Sequence, residues 1–281
     1  MNKTKLKLGF SPCPNDTFVF DAMVHGRIDT EGLEFDYFLA DVEELNSLAL
    51  SSGTDITKMS FYAFAFAAKN YLILDSGSAL GHHNGPLVIS KRKITASGLA
   101  ESTIAIPGKY TTANLLFSLI WPEAINKVEY LFSGIEDALL AEEVDAGLII
   151  HETRFTYRNR GLHKIVDLGE YWENLTGLPI PLGTIAVNRT IDTGIALKVN
   201  SIIRRSVEFA LRHPKASHDF IKTYASEMDS SVVNRHIKLF VNRYTTSLGN
   251  GGKKAITELF RIAGEKGIIP EMPERIFLTS R

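Results

Sequence analysis

The stretch Leu6-Lys7-Leu8-Gly9-Phe10-Ser11-Pro12-Cys13-Pro14-Asn15-Asp16-Thr17-Phe18 decides the fold. Apolar residues at every second position up to Phe10 have the spacing of a half-buried strand. Two prolines then stop the strand and fix a rigid loop over residues 11–16. Asp16 precedes a run suited to a helix over residues 17–25 and is its expected N-cap. A strand passing through a short loop into a helix opens an α/β unit, and open α/β folds bind ligands in the crevice beyond the carboxyl ends of their strands. Asn15 and Asp16 are therefore candidate ligand contacts, although a rigid capped turn explains the same residues without a ligand.

The same alternation continues outward. Strands are expected over 33–39, 55–60, 86–90, 103–106, 128–132 and 146–150. Helices are expected after Asp41 with Glu44 completing a capping box, over 61–69, from Thr111 or Thr112 to 121, and behind a second box at Ser133 and Glu136. Such alternation favours helices covering a mostly parallel sheet. From Gly194 the pattern changes: Ile195, Val199, Ile202, Ile203, Val207 and Ala210 recur at helical spacing, and the remainder is mainly helical. A helical tail of this size is expected to pack back on the first lobe. Residues 1–92 with 189–281 then form one lobe and 93–188 the other, joined by crossings near 90–94 and 182–188. Gly249-Asn250-Gly251-Gly252 reads as a connector.

Composition narrows the function. The 281 residues carry 31 Lys+Arg against 32 Asp+Glu, and 44% are hydrophobic, so a full core is available. No sustained basic block supports nucleic-acid or anionic-membrane binding, which leaves a small molecule as the expected partner and no obligate protein partner evident. Cys13 is the single cysteine, excluding an internal disulfide and a Cys-rich metal centre. Lys3, Lys5 and Lys7 lack the apolar core of a signal peptide, and no window approaches the roughly 20 apolar residues of a membrane span, so the expected location is cytoplasmic.

Chemistry gathers at strand and helix ends. Lys58-Met59-Ser60 closes a strand, and Thr111-Thr112 opens a helix whose unpaired N–H groups can hold a carboxylate. Ordinary capping accounts equally for either site taken alone. His151 follows the apolar run 146–150 at a strand's carboxyl end, where a neutral imidazole is suited to taking a proton. His25, His163, His213, His218 and His236 lie among polar neighbours and are weaker candidates. His82 and His83 are adjacent, which in an extended chain sends them to opposite sides, and no Cys/His/carboxylate cluster has ligand spacing, so no metal is expected. Cys13 has no base near it in sequence and is not expected to be a nucleophile.

Together the Ser11–Phe18 motif, Lys58-Met59-Ser60, Thr111-Thr112 and Gly147-Leu148-Ile149-Ile150-His151-Glu152 resemble the 1,4-dihydroxy-6-naphthoate synthases of the futalosine route to menaquinone. The resemblance spans most of the chain. It implies a two-lobed α/β fold like that of the type II periplasmic binding proteins, with two crossing segments and a mainly helical C-terminal part. It also implies a carbon–carbon lyase that needs no redox cofactor and releases dihydroxyacetone from cyclic dehypoxanthine futalosine. By the same resemblance His151 is the proton acceptor, and Lys58, Met59, Ser60, Thr111 and Thr112 contact the carboxylated substrate. The alternatives are chorismate dehydratase of the same pathway, which lacks the Ser-Pro-Cys-Pro-Asn-Asp signature, and a non-catalytic small-carboxylate-binding protein.

Overall fold

The computed structural model describes residues 4–225 and 229–279, so Lys3 lies outside the described residues. Strand β1 (Thr4–Phe10) buries Leu6, Leu8 and Phe10 as its alternation requires. Helix α1 (Pro14–Val24) begins earlier than expected. Pro14 stands at its first turn, where a missing N–H costs nothing, and Cys13 rather than Asp16 is the N-cap. Asp16 sits inside that turn with its carboxylate committed elsewhere: it accepts from Ser11 Oγ at 2.7 Å.

The chain continues through β2 (Leu33–Leu39), α2 (Val42–Leu50), β3 (Ile56–Ser60), α3 (Phe61–Ala67), β4 (Tyr71–Ile73) and β5 (Ala79–Gly81). Asp41 caps α2 through Glu43 N at 2.9 Å. Next come β6 (Leu87–Ser90), β7 (Ile104–Ile106), α4 (Thr112–Ile120), β8 (Lys127–Glu129), α5 (Ile135–Leu140), β9 (Ala146–Ile149) and α6 (Thr153–Thr156). Thr111 caps α4, whereas α5 starts at Gly134 with no side-chain cap. The expected box at Ser133 and Glu136 therefore does not form, and Glu136 turns to Arg160 at 3.4 Å. The chain ends with β10 (His163–Asp167), α7 (Leu168–Thr176), β11 (Ile180–Asn188), α8 (Thr193–Arg212), α9 (His218–Tyr224), α10 (Ser230–Phe240), α11 (Arg243–Thr246) and α12 (Gly249–Glu265).

Two sheets form among the described residues. The first runs β2-β1-β3-β11-β4, with β5 also paired to β11, and the second runs β10-β6-β9-β7-β8. Both are mixed, not mostly parallel as expected. Strand β11 is antiparallel to β3, β4 and β5, and β6 is antiparallel to both β10 and β9. In the first sheet the cause is a return strand: β11 brings the chain back after the second sheet is built.

Residues 182–188 lie within β11, between β3 on one edge and β4 and β5 on the other. By pairing, β6 belongs to the second sheet and β11 to the first. The link between β5 and β6 is clamped by a close approach of backbone, since a Cβ on Gly85 would collide with Gly169 N of α7.

Helix α8 shows why the C-terminal part joins the first lobe. Asp192 caps it through Gly194 N and Ile195 N, and Val199, Ile202, Ile203 and Val207 are fully buried on its inner face. Each such side chain contributes about 1.5–3 kcal/mol relative to exposure. Their core partners include Leu8, Phe10 and Phe20, the two rings stacked at 4.5 Å. Residues 249–252 open α12 and are no connector; Gly252 fits within contact of Leu248 and Tyr244. Among the described residues no helix is long and apolar enough to cross a membrane.

Candidate active site

A cleft of about 740 Å³, counted out to its mouth, gathers the sequence-predicted residues. Asn15 and Asp16 enter from the β1–α1 loop, Lys58, Met59 and Ser60 from the end of β3, and His151 from beyond β9. Thr111 and Thr112 complete the wall at the start of α4. Asn84, Arg154 and Phe240, which no local pattern singles out, line the same cleft.

Asp16 is the hub of its polar wall. Its carboxylate accepts from Lys58 Nζ, Asn15 Nδ2 and Ser11 Oγ, each at 2.7 Å, and all four residues are buried. Lys58 and Asp16 thus neutralise one another, and Arg154 is similarly paired with Asp167 at 3.1 Å. The threonine hydroxyls are also engaged. Thr111 Oγ1 donates to Gly108 O at 2.8 Å, and Thr112 Oγ1 donates to Leu182 O at 2.6 Å. What α4 offers a carboxylate is therefore its first-turn amides and dipole more than these hydroxyl protons. Ser60 Oγ accepts from Asn46 Nδ2 at 3.3 Å, which leaves its own proton to donate.

His151 sits in the left-handed region at φ 60°, a conformation seldom adopted without surrounding constraint. Its Nδ1 lies 3.5 Å from Cys13 Sγ, and its Nε2 is buried with no hydrogen-bond partner among the described residues. Phe132 meets the ring edge-on at 4.9 Å, and His236 stacks beside it at 6.1 Å. Burial pushes the His151 pKa below its ordinary value, opposed in part by the carboxylates of Glu152, Asp16 and Asp41. Burial likewise holds His236 well down, with His151 and Lys58 adding to the effect. Burial thus disfavours the charged form of both rings.

His236 is the main residue that sequence reasoning missed. It is fully buried, and its Nε2 donates to Asn15 Oδ1 at 2.8 Å, extending the Asp16 network to the C-terminal helices. A signal was present: Val232, His236 and Phe240 recur every fourth residue and form the buried face of α10. Cys13 also gains a base in space that it lacks in sequence. Its thiol is nevertheless pushed well above its ordinary pKa, first by burial and then by Glu152 and Asp16.

His151, Glu152 and His236 place possible metal-ligating atoms within 4.8 Å of one another. Their spacing in sequence does not predict such a cluster. The two imidazoles lie 26° from parallel with their centroids 6.1 Å apart. His82 and His83 do not diverge as expected, because His83 is at φ 58° and the chain there is not extended. Both approach Glu173 Oε2, at 3.1 and 3.9 Å, and serve to fasten the link between β5 and β6 to α7.

Comparison with known proteins gives a family match. Residues 6–265 match the family model described as menaquinone biosynthesis. A 1,4-dihydroxy-6-naphtoate synthase of Thermus thermophilus is 41% identical over 273 residues, 97% of this chain and 99% of the relative. One of Streptomyces coelicolor is 39% identical over 278 residues, with 97% of each chain covered. A crystal structure of a protein from Archaeoglobus fulgidus superimposes with TM-score 0.90 at 35% identity, covering 94% of this chain and 98% of that one. The alkanesulfonate-binding protein of Xanthomonas axonopodis reaches TM-score 0.73 at 14% identity, with 99% and 97% covered, and establishes the periplasmic-binding-protein-like fold alone.

Proposed function

Since the chain belongs to the menaquinone biosynthesis family and is an enzyme of that pathway, we propose that its cleft converts cyclic dehypoxanthine futalosine to 1,4-dihydroxy-6-naphthoate. The three-carbon fragment leaves as dihydroxyacetone and the remaining fused ring becomes aromatic. The observation that carries this reading is His151, an imidazole lining a two-sheet cleft with no partner at Nε2 among the described residues. A base so placed can take a proton from the bound substrate, and the neighbouring carboxylates stabilise the imidazolium that forms. Ser60 and the first turn of α4 supply polar groups for the substrate carboxylate, while Asn15, Asp16 and Lys58 hold one another and shape the wall. Met59 is fully buried and contributes apolar surface. On this reading the reaction is cytoplasmic and needs no protein partner.

The test is incubation of purified protein with cyclic dehypoxanthine futalosine or with chorismate, followed by mass spectrometry. Naphthoate and dihydroxyacetone in equal amounts are expected from the first, and no dehydration of the second. Prior treatment with EDTA is expected to leave the rate unchanged. Turnover of chorismate alone would make this the dehydratase of the pathway. EDTA-sensitive turnover restored by a divalent ion would turn attention to His151, Glu152 and His236.

A further inference from the structure

Taking His151 as the base proposed above, we infer that Cys13 is a positioning residue that holds the imidazole with its proton on Nδ1, leaving Nε2 bare as the nitrogen available to substrate. An imidazole acts as a base only through an unprotonated nitrogen, so which tautomer is present decides whether His151 accepts or donates at Nε2. The Cys13 contact at 3.5 Å is the one hydrogen-bonding partner found at either ring nitrogen among the described residues. Phe132 and His236 bear on the ring by aromatic contact and restrain its plane without choosing a tautomer.

Cys13 is suited to this task because its backbone is held on both sides. It lies between Pro12 and Pro14 as the N-cap of α1, and its carbonyl accepts from Asp16 N and Thr17 N, each at 3.0 Å. Its own N–H donates to Ser11 Oγ at 3.4 Å. His151 enters from the other side of the cleft on a left-handed turn, so its ring needs an anchor outside its own backbone. A neutral sulfur accepts the Nδ1 proton weakly. It therefore fixes orientation without the rise in basicity that a carboxylate at the same place would impose. The burial that keeps the thiol protonated also prevents a thiolate–imidazolium pair, in which His151 would already hold the proton it is meant to receive.

The test is nitrogen NMR of protein labelled at histidine, recorded above the titration range of His151. Wild type is expected to show a protonated Nδ1 and a bare Nε2. Cys13→Ala is expected to show mixed or reversed protonation, with kcat reduced about tenfold or more and substrate binding unchanged. Cys13→Ser, whose hydroxyl accepts in the same place, is expected to recover the wild-type tautomer and most of the rate. A Cys13→Ala protein that keeps both tautomer and rate would overturn the role of Cys13 and leave the base assignment standing, whereas a wild-type proton on Nε2 would overturn the role of Cys13 and also Nε2 as the accepting nitrogen. Retained turnover in His151→Asn would instead remove the base assignment itself.

Discussion

His151→Asn is expected to slow the single-turnover chemical step by about 10²–10⁴-fold, the usual contribution of a positioned general base. Substrate binding, measured by calorimetry on the same protein, should change far less. The separation follows from the cleft: asparagine removes the proton acceptor, while Ser60, the start of α4 and the Asp16–Lys58 pair remain in place. Asparagine also tolerates the left-handed backbone at φ 60° better than most residues, so the substitution adds little strain. A folded variant that binds normally and turns over near the wild-type rate would leave the base to be found elsewhere.

Asp16→Ala is expected to cost about 3–5 kcal/mol of stability, the range for removing one partner of a buried ion pair. The side chains of Lys58 and Asp16 are only 10% and 3% exposed, so the ammonium left behind has little water to replace its partner. Ser11 and Asn15 would lose their acceptor in the same step, and Asn15 is the residue that meets His236. Urea unfolding measures the loss. Lys58→Met combined with Asp16→Ala should be less damaging than Asp16→Ala alone, because no buried charge is then unpaired. A loss below about 1 kcal/mol in the single variant would show the pair to be relieved by solvent.

Local physics made much of this legible in the sequence. The strand at Leu6–Phe10, the cap at Asp41, the cap at Thr111 and the inner face of α8 all depend on short-range spacing, and all lie where that spacing puts them. Strand ends were equally readable, so His151, Ser60 and Thr112 meet in one cleft although nearly a hundred residues separate the first two. What failed was non-local. Nothing in β11 announces that it returns antiparallel between β3 and β4, and that pairing makes the first sheet mixed. His236 was passed over because its neighbours in sequence are polar, whereas burial on a helix is set by residues three and four positions away. Cys13 lacks a base nearby in sequence and gains His151 only through the approach of the two sheets.

The central claim is that neutral His151 takes the proton, and the pH dependence of the single-turnover rate tests it most directly. The groups facing the ring are Glu152, Asp16, Asp41, Lys58, His236 and Cys13, and the net effect of burial among them is a lowered pKa. The neutral form is the active one, so the rate should rise with pH, reach half its maximum below about 6.5, the ordinary histidine value, and stay flat above it. His151→Asn should abolish that rise. A wild-type rate that falls with increasing pH over the same interval, or a rise that persists unchanged in His151→Asn, would contradict the account.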